Sequence, residues 1–393
     1  TLFTLGQLSL IPSYWLLSLS VYGIIYFMSQ NQLESLLDDA VIISEELKKF
    51  RVASKYLEEY PYGQNQPLRK HCQIFLDDKN KPSTQLKRIT VMGTAIGLRM
   101  NPLLRIFLNT VVPWDFFAAS RLETLKGELA ANLQVWLGVL FELEAILSLA
   151  NFSYLNPGRA FPEILETPNA PPALHAQQLG HPLIPDAQKK TNDFSLKKTG
   201  DIALVTGSNM SGKSTFLKTV GVNLCLAFAG GPVDAKSLKT TLFRMFSCIK
   251  INDSVTDGFS FFYAEVKRLK ALLNELESDK LFPVLFLIDE IFKGTNNRER
   301  LIGSRSYIKT LVGKRGLGII TTHDLELTQL ADKIPSVINY HFREDVVNGE
   351  MVFDYKMRPG PCPSTNALKI MQLEGLPVEE MHSINLDEHK RAS

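Results

Sequence analysis

The chain begins with a stretch of 33 residues that carries no charged side chain. Within it, residues 8–28 are apolar over about 20 positions, the length that crosses a bilayer. Its aromatic residues are of the kind enriched at membrane interfaces, and they are Tyr14, Trp15, Tyr22 and Tyr26. Pro12 and several serines leave a buried core helix as the alternative. A signal peptide is disfavoured because there is no basic start and no clear cleavage site. We predict a transmembrane segment at residues 1–30.

Two amphipathic helices are predicted next, because apolar residues recur there at spacings of three and four. The first covers residues 32–59. The second covers residues 118–150, and its apolar stripe is Leu122, Leu125, Leu129, Leu133, Trp136, Leu140, Leu143, Leu147 and Ala150. At about 1.5 Å per residue this second helix is a rod of about 45 Å, long enough to carry movement between domains. Residues 31–155 are therefore predicted to form a helical core and lever domain.

The pattern changes again at residue 156. Residues 156–190 are rich in proline and poor in periodicity, which predicts a connector. Beyond it, predicted strands at 203–206, 284–288 and 318–321 alternate with predicted helices after Lys213 and at 264–276 and 302–311. This alternation predicts an α/β domain over residues 156–393, with a mostly parallel sheet covered by helices.

Composition adds little to the prediction of the fold and partners of this chain. A chain of 393 residues with 45% hydrophobic content is typical of a globular protein with two or three domains. With 43 basic and 41 acidic residues, the balance neither favours nor excludes a nucleic-acid partner. The four cysteines are far apart and form no C-x-x-C pair, which argues against a zinc site and a disulfide scaffold.

A phosphate-binding loop is predicted between the strand at 203–206 and the helix after it. Gly207, Gly212, Lys213 and Ser214 fit the pattern G-x-x-x-x-G-K-[ST] in the strand and helix context that it requires. The residues predicted to contact the nucleotide are Gly207, Ser208, Asn209, Met210, Ser211, Gly212, Lys213, Ser214 and Thr215. Glycine lets the main chain approach phosphate closely, and the helix N-terminus offers unpaired N–H donors. Lys213 would reach the β- and γ-phosphates, and the Ser214 hydroxyl would bind Mg²⁺.

Two further apolar strands end in chemically active side chains. Asp289 and Glu290 follow the strand at 284–288, which we expect beside the strand of the phosphate loop. Asp289 would help to hold Mg²⁺, and Glu290 would polarise the water that attacks the γ-phosphorus. His323 follows the strand at 318–321 and could bond the γ-phosphate or that water. An acidic helix cap and a structural histidine are the plainer alternatives.

Three stretches resemble the ATPase domain of the MutS family of DNA mismatch-repair proteins. They are Thr-Gly-Ser-Asn-Met-Ser-Gly-Lys-Ser-Thr at 206–215, Leu-Ile-Asp-Glu-Ile-Phe-Lys-Gly-Thr at 287–295 and Thr-Thr-His-Asp-Leu-Glu-Leu at 321–327. Shorter matches lie at 180–182, 192–193, 257–265, 353–360, 364–365 and 375–377. The resemblance implies a P-loop ATPase of the ABC type that binds ATP and Mg²⁺ and works as a homodimer, with the long helix as its lever arm.

The resemblance also implies roles for two more residues. Residues 257–262 correspond to the ABC signature, so Ser260 would reach the γ-phosphate of the nucleotide on the partner chain. A plain cap of the following helix is the alternative for Ser260. Tyr355 would stack on the adenine, because residues 189–191 lack the aromatic side chain that the family usually offers there.

The chain departs from the family pattern in several places. No stretch before the lever helix is long enough for mismatch-binding and connector domains, and the Phe-x-Glu reader motif is missing from that region. Lys293 replaces the usual arginine and Phe261 the usual threonine. The terminal helix-turn-helix is cut short or absent after Pro377.

These observations lead to one main expectation and two alternatives. We expect a Mg²⁺-dependent MutS-like ATPase that switches conformation as a dimer and lacks mismatch recognition. It would be held at a membrane with its ATPase domain in the cytoplasm, and DNA is left open as a partner. The first alternative is a membrane-anchored scaffold or signalling protein in which nucleotide binding alone sets the conformation. The second is a mismatch-repair protein of the usual kind.

Overall fold

The structure is a computed structural model that describes residues 14–78, 80–165, 173–249, 261–347 and 350–363. Predictions that fall on residues 1–13, on Ser260 and the rest of 257–260, and on the motifs after residue 363 lie outside the described residues. The chain divides into two compact units, residues 1–147 and residues 148–393.

The first unit is helical. Its helices are α1 (Tyr14–Glu59), α2 (Gln66–His71), α3 (Pro82–Gly97), α4 (Pro102–Val111) and α5 (Trp114–Leu155), of which α5 continues into the second unit. Short 3₁₀ turns lie at Gln73–Leu76 and Leu98–Met100. The start of α4 follows from its sequence, because the Asn101 side chain accepts the N–H groups of Leu103 and Leu104 and Pro102 occupies the first turn.

The first 46 described residues form one helix, which differs from the prediction. The change from an apolar to an amphipathic pattern near residue 31 suggested two separate segments, but α1 runs without a break through this point. Residues 28–33 contain neither glycine nor proline. A change in hydropathy alters what a helix packs against without interrupting its backbone hydrogen bonds.

The predicted apolar stripe of α5 supplies part of the helical core. Leu125, Leu129, Trp136 and Leu143 are buried there against residues of the other helices, and Trp136 is 2% exposed. The helix is longer than predicted at both ends. Its other faces are exposed and also carry apolar side chains, so its sequence is more apolar than that of an ordinary amphipathic helix.

Among the described residues, α5 is the one helix long and apolar enough to cross a membrane, with a mean hydropathy of 1.6 in its best window. The prediction had instead placed a membrane segment at residues 1–30. This property of α5 rests on length and composition alone, and the core helix of a soluble protein can have the same length and composition.

The second unit is built on two β-sheets and a hairpin. Its strands are β1 (Glu163–Leu165), β2 (Leu174–Leu179), β3 (Asn192–Leu196), β4 (Ile202–Thr206), β5 (Ser237–Thr241), β6 (Arg244–Cys248), β7 (Val284–Asp289), β8 (Gly316–Thr322), β9 (Val337–His341), β10 (Glu344–Val347), β11 (Glu350–Phe353) and β12 (Arg358–Pro359). Its helices are α6 (Lys213–Phe228), α7 (Phe261–Glu277), α8 (Asn297–Leu311) and α9 (Leu330–Lys333), and a 3₁₀ turn covers Leu325–Gln329.

The larger sheet has six strands in the order β12-β9-β4-β8-β7-β6. All neighbouring strands are parallel except β12, which is antiparallel to β9. Alternate residues of the central strand β4 face opposite cores, since Ala203 and Val205 pack with α6 and Ile202 and Leu204 pack with α7 and α8. The prediction of a mostly parallel sheet with helical layers is confirmed for this sheet.

Two details of the strand arrangement were not predicted. β8 lies between β4 and β7, so the strand that ends in Asp289 is not directly beside the strand of the phosphate loop. Residues 156–190 are also more than a connector, because they contain β1 and β2 of a four-stranded sheet in the order β1-β5-β2-β3. Their prolines hid these strands, which pair with β5 from 60 to 76 residues away.

Candidate functional site

The loop between β4 and α6 has the backbone of a phosphate-binding loop. Gly207 and Gly212 have φ angles of 149° and 108°, and Met210 between them has a φ of 66°. A Cβ atom on Gly207 would lie 2.6 Å from the carbonyl oxygen of Phe342, so only glycine fits there. α6 then begins at Lys213 and directs its free N–H groups at the loop.

Lys213 is folded back into this loop. Its Nζ donates to the carbonyl oxygens of Gly207 at 2.8 Å and Ser208 at 2.6 Å. Burial lowers the pKa of Lys213 to about 8, although the nearby carboxylates of Glu290 and Asp289 partly oppose this effect. The ammonium group therefore stands where a phosphate could attract it away from two neutral carbonyl groups.

Three oxygen-bearing side chains meet beside the start of α6. The hydroxyl groups of Ser214 and Thr321 both donate to Asp289 Oδ1, at 2.9 and 2.8 Å. No group of three or more His, Cys, Asp or Glu residues suited to a metal ion occurs in the described ranges. One carboxylate and one or two hydroxyl groups nevertheless fit Mg²⁺, which takes oxygen ligands and usually keeps waters and substrate phosphates as the others.

Glu290 is held by two basic side chains. Its Oε1 lies 2.5 Å from His323 Nε2, and its Oε2 lies 3.2 Å from Lys293 Nζ. Burial raises the pKa of Glu290, but the hydrogen bonds and charges of His323 and Lys293 outweigh burial and lower it to about 2. Glu290 is therefore ionised at neutral pH and can accept a hydrogen bond from a water molecule.

His323 joins Glu290 to the phosphate loop. Its Nδ1 lies 2.9 Å from the carbonyl oxygen of Gly207, while its Nε2 faces the Glu290 carboxylate. A carbonyl and a carboxylate oxygen can only accept, so both ring nitrogens donate when the ring carries two protons. The prediction that His323 bonds phosphate or water stays a prediction, and the described contact is with Glu290.

Lys213, Ser214 and Glu290 line one cavity of about 490 Å³. Among the predicted residues, its lining includes Asn209, Met210, Gly212, Lys213, Ser214, Thr215, Glu290 and Tyr355. Gly207, Ser208, Asp289 and His323 stand directly behind this lining through the contacts of Lys213, Ser214 and Glu290, and the Ser211 hydroxyl donates to the Ser208 carbonyl oxygen. The structure thus brings together all predicted site residues that it describes, and Ser260 lies outside the described residues.

Tyr355 lines the cavity and lies against the phosphate loop. A Cβ atom on Gly212 would lie 3.2 Å from its ring, and its own φ is 54°. The Asn192 side chain holds the segment by donating to the Tyr355 carbonyl oxygen and accepting the Met357 N–H. Lys189 points elsewhere, because its ammonium pairs with Asp234 at 2.7 Å.

Sequence reasoning assigned no role in the site to four of its residues. Thr321 binds Asp289 and accepts the Glu290 N–H at 3.1 Å, Glu344 accepts from the Ser208 hydroxyl at 2.7 Å, and Lys293 and Asn192 act as described above. Thr321 could have been predicted from the sequence, because it lies in the polar cluster at the end of β8. Glu344 had no signal, since it lies 136 residues from its partner.

A glycine-bounded loop at the head of a helix, facing two carboxylates at the end of a parallel strand, defines a P-loop nucleotide-binding domain. The particular family follows from comparison with known proteins. The family model of MutS domain V matches residues 203–387. This match confirms the resemblance to the MutS family that was found in the motifs at 206–215, 287–295 and 321–327. Domain V is the ATPase domain of that family.

Proposed function

We propose that this protein binds and hydrolyses ATP with Mg²⁺ at the cavity beside the phosphate loop. The observation that carries the proposal is the position of the ionised Glu290 carboxylate, which lines the same cavity as Lys213 and Ser214. A carboxylate held by His323 and Lys293 is fixed in one orientation and can align a water molecule for in-line attack.

Each side chain has a distinct part in this mechanism. Lys213 exchanges its loop carbonyl partners for phosphate oxygens when nucleotide enters. Ser214 and Asp289 would hold Mg²⁺, which supplies charge neutralisation of the phosphates. Glu290 orients the water, and His323 holds Glu290 against the loop. Tyr355 offers a ring for the base to stack on.

Two variants test the chemistry. Lys213→Ala should weaken nucleotide binding by roughly tenfold or more, because a charged hydrogen bond contributes about 1.5–3 kcal/mol. Glu290→Gln should leave binding intact and lower turnover by roughly 10²–10⁴-fold, since it removes the group that activates water. Binding of a fluorescent nucleotide and phosphate release would be measured on both variants. Turnover of Glu290→Gln at the parent rate would rule out this mechanism.

We also propose that two chains work together and that nucleotide switches the conformation of this dimer. The match to MutS domain V supports this part, together with the resemblance of residues 257–262 to the ABC signature. Any contact with DNA would be independent of mismatches. A titration of matched and mismatched duplexes across salt decides whether DNA is a ligand, because phosphate contacts weaken steeply with salt.

We further propose that residues 1–30 associate with a membrane and that the ATPase domain is cytoplasmic. The polarity of α1 supports the membrane contact. Phe27 and Met28 are 79% and 80% exposed, while Tyr26 and Glu34 on the same helix bind Arg105. Apolar side chains outward and ion-paired side chains inward are typical of helices that face lipid.

The competing proposal is a membrane-anchored scaffold or signalling protein that uses nucleotide only as a conformational switch. Lys213 is bound to two loop carbonyl groups, so nucleotide binding alone would change the contacts of this side chain, and this observation favours a switch. The Glu290→Gln variant separates the two proposals. A scaffold that needs only bound nucleotide would keep its biological activity in this variant, whereas an enzyme would lose it.

A further inference from the structure

The segment that follows Glu290 has an unusual backbone. Glu290 and Phe292 have φ angles of 60° and 59°. Residues with side chains pay about 1–3 kcal/mol for such conformations, so surrounding contacts must hold them. The backbone N–H of Glu290 donates to Thr321 Oγ1 at 3.1 Å, which secures one end of the segment.

Glu265 of α7 secures the other end. Its side chain is buried, with 2% of the residue exposed, and its Oε1 accepts the backbone N–H of Phe292 at 2.6 Å. Burial raises the pKa of Glu265, and the N–H groups of Phe292 and Lys293 only partly oppose this effect. A carboxylate is therefore kept in a place where it is poorly solvated.

Packing reinforces this hydrogen bond. The rings of Phe262 and Phe292 lie 6.2 Å apart. A Cβ atom on Gly294 would lie 2.9 Å from Phe262 Cβ, so the segment runs tightly along the first turn of α7. On its other side the Phe292 ring lies against Gly303 of α8, where an added Cβ would come within 3.0 Å. The Phe292 side chain therefore packs against both α7 and α8.

The consequence concerns the orientation of Glu290. Only one residue separates Glu290 from the anchored Phe292, and Lys293, the next residue, pairs with the Glu290 carboxylate. If the Phe292 N–H lost this hydrogen bond, Glu290 and Phe292 would be free to leave their left-handed backbone conformations. Lys293 and Glu290 would then move together. Glu265 itself is not among the residues that line the nucleotide cavity.

We propose that Glu265 is a positioning residue for ATP hydrolysis: by binding the Phe292 N–H, it holds the 290–293 backbone in the conformation that presents the Glu290 carboxylate to the cavity. This inference rests on the proposed ATPase function. It assigns to α7 an indirect part in hydrolysis, through the contact of one buried carboxylate with the segment that follows β7.

Two substitutions distinguish the effect of losing the hydrogen-bond acceptor of Glu265 from the effect of changing the volume of its side chain. Glu265→Met keeps a similar volume and removes the acceptor, whereas Glu265→Gln keeps an amide oxygen that can still accept the Phe292 N–H. Glu275→Gln is the matched control, because Glu275 lies on the same helix and pairs with Arg244 and Lys280 away from the cavity.

The measurements are turnover, affinity for a fluorescent ATP analogue, and hydrogen exchange of the Phe292 amide. We expect Glu265→Met to lower turnover at least tenfold with affinity unchanged within twofold, and to accelerate exchange of the Phe292 amide at least tenfold. Glu265→Gln should recover most of the turnover, and Glu275→Gln should match the parent in all three measurements.

Several outcomes would overturn the inference. These are parental turnover in Glu265→Met, an affinity loss as large as its turnover loss, or a Glu265→Gln variant as impaired as Glu265→Met. In each of them the parent still hydrolyses ATP, so the proposed function stands. A parent without hydrolysis would instead overturn the proposed function, and hydrogen exchange would still show whether Glu265 anchors Phe292.

Discussion

Thr321 contributes one hydroxyl group to both carboxylate residues of the site. It donates to Asp289 Oδ1 and accepts the N–H of Glu290, so a single side chain fixes the end of β7 to the neighbouring strand β8. It is fully buried. Thr321 therefore contributes to the site by holding Asp289 and Glu290 in place, although its hydroxyl group is not a reactant.

Replacing Thr321 by valine removes the hydroxyl at nearly constant shape. We expect a loss of about 1–3 kcal/mol in the free energy of unfolding, because the Glu290 N–H loses its partner. Turnover should fall as well, since Asp289 and Glu290 are less well held. Urea unfolding and phosphate release measure the two effects.

Thr310→Val is the control for this substitution. Thr310 is exposed on α8 and donates only to the Ser306 carbonyl of its own helix. Its replacement should change stability by no more than about 0.5 kcal/mol. Equal behaviour of the two variants would show that the Thr321 hydroxyl is not needed.

At the scale of elements, the helical unit depends on the close approach of α1 and α3. A Cβ atom on Gly93 of α3 would lie 2.3 Å from both side-chain atoms of Ser44 on α1. Ser44 is buried and its hydroxyl bonds the Val41 carbonyl of its own helix. Gly93 is therefore tolerated in a helix interior because it allows two backbones to come together.

Gly93→Ala should destabilise the protein by about 1–3 kcal/mol, because the added methyl group forces the two helices apart. Gly97→Ala, at the end of the same helix, should be neutral or slightly stabilising, since nothing lies within 4 Å of its Cβ position. Thermal unfolding of both variants provides the comparison. Similar unfolding midpoints would contradict the close approach of α1 and α3.

The N-terminal segment offers a second test at this scale. Deletion of residues 1–30 should move the protein from the membrane fraction to the soluble fraction without loss of ATP binding, because no predicted nucleotide contact lies there. Cell fractionation and nucleotide binding measure both properties. Unchanged partitioning would favour the role of a buried core helix for this segment.

At the scale of the whole molecule, the proposed dimer makes a sharp prediction. Ser260→Ala and Lys213→Ala proteins, each poorly active alone, should recover activity when mixed. A mixed dimer contains one site with an intact phosphate loop from one chain and an intact Ser260 from the other. ATP turnover of the mixture would be compared with that of each variant alone. Failure to recover, with mixed dimers shown to form, would leave Ser260 as a helix cap.

The backbone of the phosphate loop and the strand that ends beside it could be predicted from the sequence. Gly207, Gly212 and Lys213 are neighbours along the chain, and their spacing alone determines a backbone that can approach phosphate. The strand that ends in Asp289 was equally clear, because an unbroken apolar run is typical of a strand buried on both faces. Both features depend only on residues that are close together in the sequence.

Contacts between distant parts of the chain were decided only by the tertiary structure. The order of strands placed β8 between β4 and β7, and this order alone brings Thr321 to Asp289 and His323 to Glu290. The contact of Glu265 with Phe292 likewise joins residues 27 positions apart. The periodicity of a sequence shows which face of an element is apolar. It does not show which other element will pack against that face.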